Sequence, residues 1–327
     1  MKHSRIGLVA TTAAVLLLIC VPALPAAAST EGSFQRTLQV TGPVNLDVTT
    51  GSGSIQVRTG SSNQIEITGH IKATDWFGGS AEDKVKQLQS NPPIQQSGND
   101  IRIGHIDNPE LRHNISISYE IVVPADTELR SHTGSGNQTV DGVHGSLDVG
   151  TGSGGLKVSN ISNTVHADTG SGDIEIDHVK GYVRAKTGSG SIRATDVAGG
   201  FDADTGSGRI TLEQTAPGAV RADTGSGGME LRGVKGSLEA KAGSGTIRAE
   251  GDPSGDWRVH TGSGTVQLKL PSNAAFDLDA HTSSGSIQVD HPVTVQGTLG
   301  RKDIQGKVRG GGVRVEVETG SGNIQIQ

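Results

Sequence analysis

The tetrapeptide Thr-Gly-Ser-Gly begins at Thr133, Thr151, Thr169, Thr187, Thr205, Thr224 and Thr261, and Ala242-Gly-Ser-Gly and Thr282-Ser-Ser-Gly complete the series in steps of 18 to 21 residues. Outlying copies stand at Thr50 and Thr319. A fixed period near twenty is the mark of a solenoid: one repeat makes one turn of a coil that cannot bury its own apolar face, so the turns must stack. Composition agrees, because 49 glycines and 2% aromatics in 327 residues leave no material for a globular core of large side chains.

Each coil carries two runs of period-two alternation around a glycine-containing turn, which predicts two short strands per coil. Inward residues of one strand fall two and four positions after the corner, as in Leu156/Val158, Ile174/Ile176, Ile192/Ala194, Ile210/Leu212, Met229/Leu231 and Ile247/Ala249. Those of the other fall four and two positions before it, as in Val165/Ala167, Val183/Ala185, Phe201/Ala203, Val220/Ala222 and Trp257/Val259. Alanine facing valine or isoleucine predicts a narrow, filled interior without a ligand chamber. At the corner, glycine permits positive φ and close backbone approach, while Ser and Thr can satisfy turn groups that stacking would otherwise leave unpaired. An exposed hydroxyl ladder touching ice or glycan is the functional alternative to that structural role.

Stacking in sequence order also predicts the exterior. The column Arg184, Asp202, Arg221, Glu239, Arg258, Asp279 alternates in sign, as does Glu213, Arg232, Glu250, Lys269, Asp290, and opposite charges on neighbouring strands each help by about 0.2–1 kcal/mol. A third column, Lys186, Asp204, Asp223, Lys241, His260, His281, breaks the rule. It predicts Asp204 beside Asp223 and His260 beside His281, with Asp279 on the strand of His281, and these five residues are the candidate cation ligands. No catalytic residues and no cofactor are expected. Asp173 gives one glycine-aspartate corner, but Ser191, Arg209, Gly228 and Thr246 occupy that place in other coils, which removes repeat calcium binding. The Gly-Ser-Gly corners are neither nucleophile elbows nor phosphate loops.

Lys2, His3 and Arg5 precede the apolar run Ile6 to Val21, followed by Pro22, Pro25 and Ala26-Ala27-Ala28, the pattern of a secretory signal cut after Ala28. The alternative is a retained anchor, since that stretch is long enough to span a bilayer. The one cysteine, Cys20, follows Ile19 where a lipoprotein signal needs a small residue, so the processed chain has no thiol chemistry and no disulfide. The net charge of −6, without a basic stripe, excludes nucleic acid. No integral membrane domain is expected after cleavage.

The predicted organisation is therefore a signal peptide at 1–28, first strands and coil at 29–69, a cap insertion with one short helix at 70–118, solenoid repeats at 119–291, and a second cap with the last coil at 292–327. The helix is expected from Ser80 as its cap, with Val85 and Leu88 as its apolar stripe, to Asn91-Pro92-Pro93. Capped ends follow from the hazard of unpaired edges. The fold class is all-β, a single-chain parallel β-solenoid (β-helix) of about 18–20 residues per coil.

Tyr119-Glu-Ile-Val-Val-Pro124 leading into Thr133-Gly-Ser-Gly, the run of coils, and Leu268-Lys-Leu-Pro271 leading into Thr282-Ser-Ser-Gly resemble the bacterial putative-adhesin family of Thr-Gly-Ser-Gly repeat proteins, a family of unknown function. Gln138 at an inward position and Ala242 in place of threonine depart from the pattern. The resemblance implies surface attachment and no catalytic residues. Together with the signal it predicts a non-enzymatic protein of the periplasm, cell surface or extracellular space that binds an unknown macromolecule, protein or glycan. A periplasmic scaffold or envelope-stress component is the alternative, and a polysaccharide-acting β-helix enzyme is a more remote one.

Overall fold

Inward aliphatic rows and outward charges organise most of the described residues into two long sheets joined by the Thr-Gly-Ser-Gly corners. The computed structural model describes residues 28–61, 63–75, 81–295 and 300–327. The signal segment, and Ser80 as helix cap, lie outside them. Strands that precede the corner, such as Leu147–Ser153, Val165–Ser171 and Val183–Ser189, form a 15-stranded sheet. Strands that follow it, such as Leu156–Ile161, Ile174–Val179 and Ile192–Val197, form a 14-stranded sheet. Pairing between coils is parallel and in register: Val165 meets Val183, which meets Phe201, and Ile174 meets Ile192, which meets Ile210. Ile174, Ile192 and Ile210 form one fully buried row, and Ala167, Ala185 and Ala203 of the other sheet are equally buried.

The corner shows why its composition is narrow. From Thr133 onward each corner threonine points inward and donates its hydroxyl proton to the last-glycine carbonyl of the neighbouring corner, whereas Thr50 of the first coil donates to Ile117 O at 2.9 Å and Ser52 O at 3.0 Å. Thr169 Oγ1 reaches Gly154 O at 3.0 Å, Thr187 reaches Gly172 O at 3.0 Å and Thr205 reaches Gly190 O at 2.9 Å. These threonines are buried, so they are not an exposed ladder for ice or glycan. The last glycine is equally constrained: Gly190 has φ +159°, and a Cβ there would stand 2.0 Å from Gly172 O. Its amide donates to Ser207 O at 3.1 Å, closing the coil-to-coil ladder through the turn.

The two outlying copies of the repeat are not separate from the stack. Thr50 pairs with Thr133, so the coil Val44–Ser52 and Ile55–Thr59 lies directly against the coil that begins at Thr127. At the other end the last coil, Val313–Ser321 and Ile324–Ile326, is inserted between two earlier ones, with Thr319 pairing with Thr261 on one side and Thr282 on the other. This corrects the sequential stacking expected for the final coils. The coil containing Phe276–Ser284 docks two strand spacings, about 9.6 Å, beyond the coil of Trp257–Ser263. The later segment then fills the space, burying Val315, Val317, Ile324 and Ile326 and pairing on both sides.

The ends are closed as solenoid physics requires. Ala28–Gln39 pairs antiparallel with Gln64–Asp75, which pairs antiparallel with Ile115–Val123. Helix Ala81–Ser90 packs on the first two strands, with Ala81, Val85 and Leu88 buried. The outer strand is blunted by side chains on its carbonyls: Gln89 Nε2 on Ser33 O at 3.0 Å, Arg36 Nη1 on Gln35 O at 2.8 Å and Gln96 Nε2 on Gln39 O at 2.8 Å. At the opposite end Asp303–Val308 runs antiparallel along Phe276–Ser284. Gln138, inward as expected, is satisfied by Ser131 Oγ at 2.6 Å and by the carbonyls of Ser131 and Gly150.

Candidate functional site

Among the described residues the inward rows are buried aliphatic side chains, and the charged side chains stand on the outer faces of the two sheets. On the corner-preceding sheet Arg184 pairs with Asp202 at 3.7 Å and Arg221 with Glu239 at 3.7 Å, as the alternating column predicts. The hydrogen bond from Lys241 holds the Glu239 carboxyl below the usual carboxylate range. The inserted coil changes the end of that column. Glu316, not Asp279, is the neighbour of Arg258, at 3.8 Å. Asp279 lies one strand further out, where Arg314 Nη2 donates to it at 2.9 Å and Gln305 Nε2 at 3.2 Å. In the second column Glu213 faces Arg232, and Lys269 holds Glu250 at 2.8 Å. Asp290 is separated from Lys269 by the inserted strand, whose Ile326 carbonyl accepts from the Asp290 amide at 2.8 Å.

The five candidate cation ligands are brought together only in part. Asp204 and Asp223 are register neighbours, as expected. Each already has a cation: Lys186 stands 4.0 Å from Asp204, and Arg221 Nε donates to Asp223 at 3.0 Å. His260 shares with them a shallow depression of about 310 Å³ that also contains Lys241. His260 and His281 are not adjacent, because Glu318 of the inserted coil separates them and contacts His260 Nδ1 at 3.3 Å. His281 turns to Asp303 at 3.9 Å. The physical reason is the coil order: a row read in chain order omits the strand that arrives last.

Two features escaped the sequence pattern. The larger is an open groove of about 1220 Å³ on the outside of the corner-preceding sheet near its N-terminal end, where Gln95, Gln96 and Ser97 stand beside the strand starts at Asn45, Glu128 and Asp148. Its polar lining interleaves the signs of Asp47, Asp100, Arg102, Glu128, Arg130 and Asp148. Its members come from separate segments spread between Asn45 and His166, so no local motif announces it.

The second is a His/Asp cluster on the other sheet. Asp177, His178 and Asp196 offer ligand atoms that lie within 4.8 Å of one another, the one such triplet found among the described residues. Simple alternation would place Asp177 and His178 on opposite faces. His178 instead adopts φ 54°, so that both side chains stand outside before Val179 returns to the core, and Asp196 repeats the conformation one coil on with φ 53°. His178 Nδ1 is 2.6 Å from Asp177 Oδ2, and Nε2 is 3.0 Å from Asp196 Oδ2. Thr195 Oγ1 donates to Asp177 Oδ1 at 2.6 Å. That hydrogen bond, with the imidazole, holds the Asp177 carboxyl low, and the Asp177 carboxylate pushes His178 up.

Among solved structures, a putative cell adhesion protein from Clostridium sporogenes ATCC 15579 aligns over 91% of this chain and 99% of its own at 11% identity and a TM-score of 0.27. A putative adhesin from Bacteroides fragilis NCTC 9343 aligns over 90% of this chain and 97% of its own at 11% identity and a TM-score of 0.31. Likeness of that degree says nothing about what this chain binds. No curated protein matches the sequence. Residues 44–327, which include every coil from the first to the inserted last, match the Toastrack DUF4097 family profile, and the chain belongs to that family.

Proposed function

We propose that this protein is an exported, non-enzymatic β-solenoid of the cell envelope or surface that binds another macromolecule through its outer faces, in adhesion. The observation that carries the reading is the groove beside Gln95–Ser97. It is open, crosses strands from Gln95–Ser97 to His166 and is lined by side chains of both signs, which suits an extended polar partner rather than an enclosed small molecule. The rigid ladder around it fixes the spacing of these groups at about 4.8 Å per strand, so a partner with its own repeat meets a matched ruler. Export rests on the basic, apolar and small-residue order of residues 2–28.

The test combines location and binding. Protease treatment of intact and permeabilised cells reports exposure, and adhesion of cells carrying Arg102→Glu/Arg130→Glu reports use of the groove. Cleavage on intact cells and reduced adhesion by the double variant support the proposal. Protection until permeabilisation would move the protein to a periplasmic scaffolding role, and undiminished adhesion by the variant would remove the groove from it.

A further inference from the structure

We propose that His178 and Asp196, oriented by Asp177, form a binding site for a divalent first-row transition ion of the Zn²⁺ type on the exterior of the corner-following sheet. The donor set is one imidazole nitrogen and carboxylate oxygen, which suits borderline ions; Ca²⁺ instead takes six to eight oxygens. His178 Nε2 and Asp196 Oδ2 stand 3.0 Å apart, the separation that two atoms each about 2.1 Å from one shared ion adopt at a bond angle near a right angle. Both side chains are about half exposed, so water can complete the coordination.

Asp177 supplies the orienting contact that metal-bound histidines need. A ligating imidazole donates its other N–H to a carboxylate, which fixes tautomer and ring plane. Here Asp177 Oδ2 is 2.6 Å from Nδ1, leaving Nε2 for the ion. Asp177 is itself held by Thr195, and Lys157, the lysine that also acts on it, is engaged with Glu175 at 3.8 Å. The backbone is stiff, since Val179 and Val197 pair in register directly beyond the cluster and are fully buried. The aspartate pair Asp204/Asp223 differs in having lysine and arginine as partners; the Asp177/Asp196 pair has an imidazole between its members, which can give up its proton to an ion.

Isothermal titration of the purified chain with ZnCl₂, and separately with CaCl₂, tests the site. The variants are His178→Asn, Asp196→Asn and Asp177→Asn. Asparagine already occupies the equivalent left-handed position at Asn160, with φ 57°, so the first two keep the fold, which an unchanged unfolding midpoint verifies. The expected result is one saturable Zn²⁺ event without a Ca²⁺ counterpart, abolished by His178→Asn and by Asp196→Asn. Asp177→Asn weakens it by about 10-fold or more, and the imidazole ¹⁵N signals of His178 then lose the fixed Nδ1–H tautomer that Zn²⁺ produces in the parent. Absence of saturable Zn²⁺ binding, or equal binding by His178→Asn, overturns the proposal and leaves His178 as an imidazolium between two carboxylates.

Discussion

Removing one corner hydroxyl tests the account of the repeat most directly. In Thr187→Val the branched shape is kept, but the 3.0 Å bond to Gly172 O is lost at a buried position. Leaving that carbonyl unsatisfied costs about 1–3 kcal/mol, and the methyl that replaces the hydroxyl returns about 0.8 kcal/mol, so a net loss between about 0.2 and 2.2 kcal/mol, centred near 1 kcal/mol, is expected. The chain contains the reciprocal case. Ala242 pairs in register with Thr224 and Thr261 but has no hydroxyl to offer. Ala242→Thr therefore adds a bond worth about 0.5–1.5 kcal/mol and raises stability by about 1 kcal/mol. The two sites are three strand spacings apart, about 14 Å, so their effects should add within about 0.5 kcal/mol. Urea unfolding followed by far-ultraviolet circular dichroism measures both through the midpoint at constant slope. A Thr187→Val protein as stable as the parent would refute the hydroxyl's role, and an Ala242→Thr protein without gain would show that the alanine coil has repacked around its gap.

Further expectations follow from the same geometry. Gly190→Ala, which combines φ +159° with a backbone oxygen 2.0 Å from the new Cβ, should prevent regular corner formation and show as loss of the cooperative unfolding transition; a stable Gly190→Ala protein would contradict the corner geometry. Arg221→Glu places like charges against Asp202, Asp223 and Glu239 and should lower stability by about 0.5–1 kcal/mol at low salt, less in 1 M NaCl; equal loss at both salt concentrations argues for packing instead. His178 should titrate above the ordinary histidine range in an NMR pH series, and Asp177 below the ordinary aspartate range. The raised histidine contributes stability at pH below about 6.5 that fades as pH rises through its folded value, while the lowered aspartate contributes above about pH 3.9 and loses it as pH falls through its own. An ordinary titration of His178 would mean that the contact with Asp177 does not persist in solution.

Much of the fold is legible in the sequence because a solenoid repeats one local solution. Ile174, Ile192 and Ile210 sit at one distance from successive corners, so their buried row follows from spacing, and so do the charges of Arg184 and Asp202. What spacing does not encode is the order in which coils dock. The positions of Thr50 beside Thr133 and of Thr319 between Thr261 and Thr282 depend on contacts far apart in the chain, and every misplacement on the exterior follows from the second of these. His260 and His281 look adjacent only while Glu318 is assigned to a later turn. The Asp177–His178 pair was hidden for a different reason: strict alternation assigns neighbouring residues to opposite faces, and only the left-handed backbone at His178 reverses that. Asn160 and Asp196, residue types that tolerate this conformation, are the faint signal at the same place in adjacent coils.

The late position of residues 313–327 has a consequence for biogenesis. From the coil that begins at Thr127, an emerging chain can zip its turns one upon the next as far as Lys269, but the turn built around Phe276 then has no finished seat beside it. Until Val313 to Gln327 is delivered, a seam stays open with bare amide and carbonyl rows on both lips, the surface most prone to capture by foreign strands. Completion of this end is therefore a closing step that waits for synthesis of the whole segment, and protection of the exposed strand edges matters most in that interval.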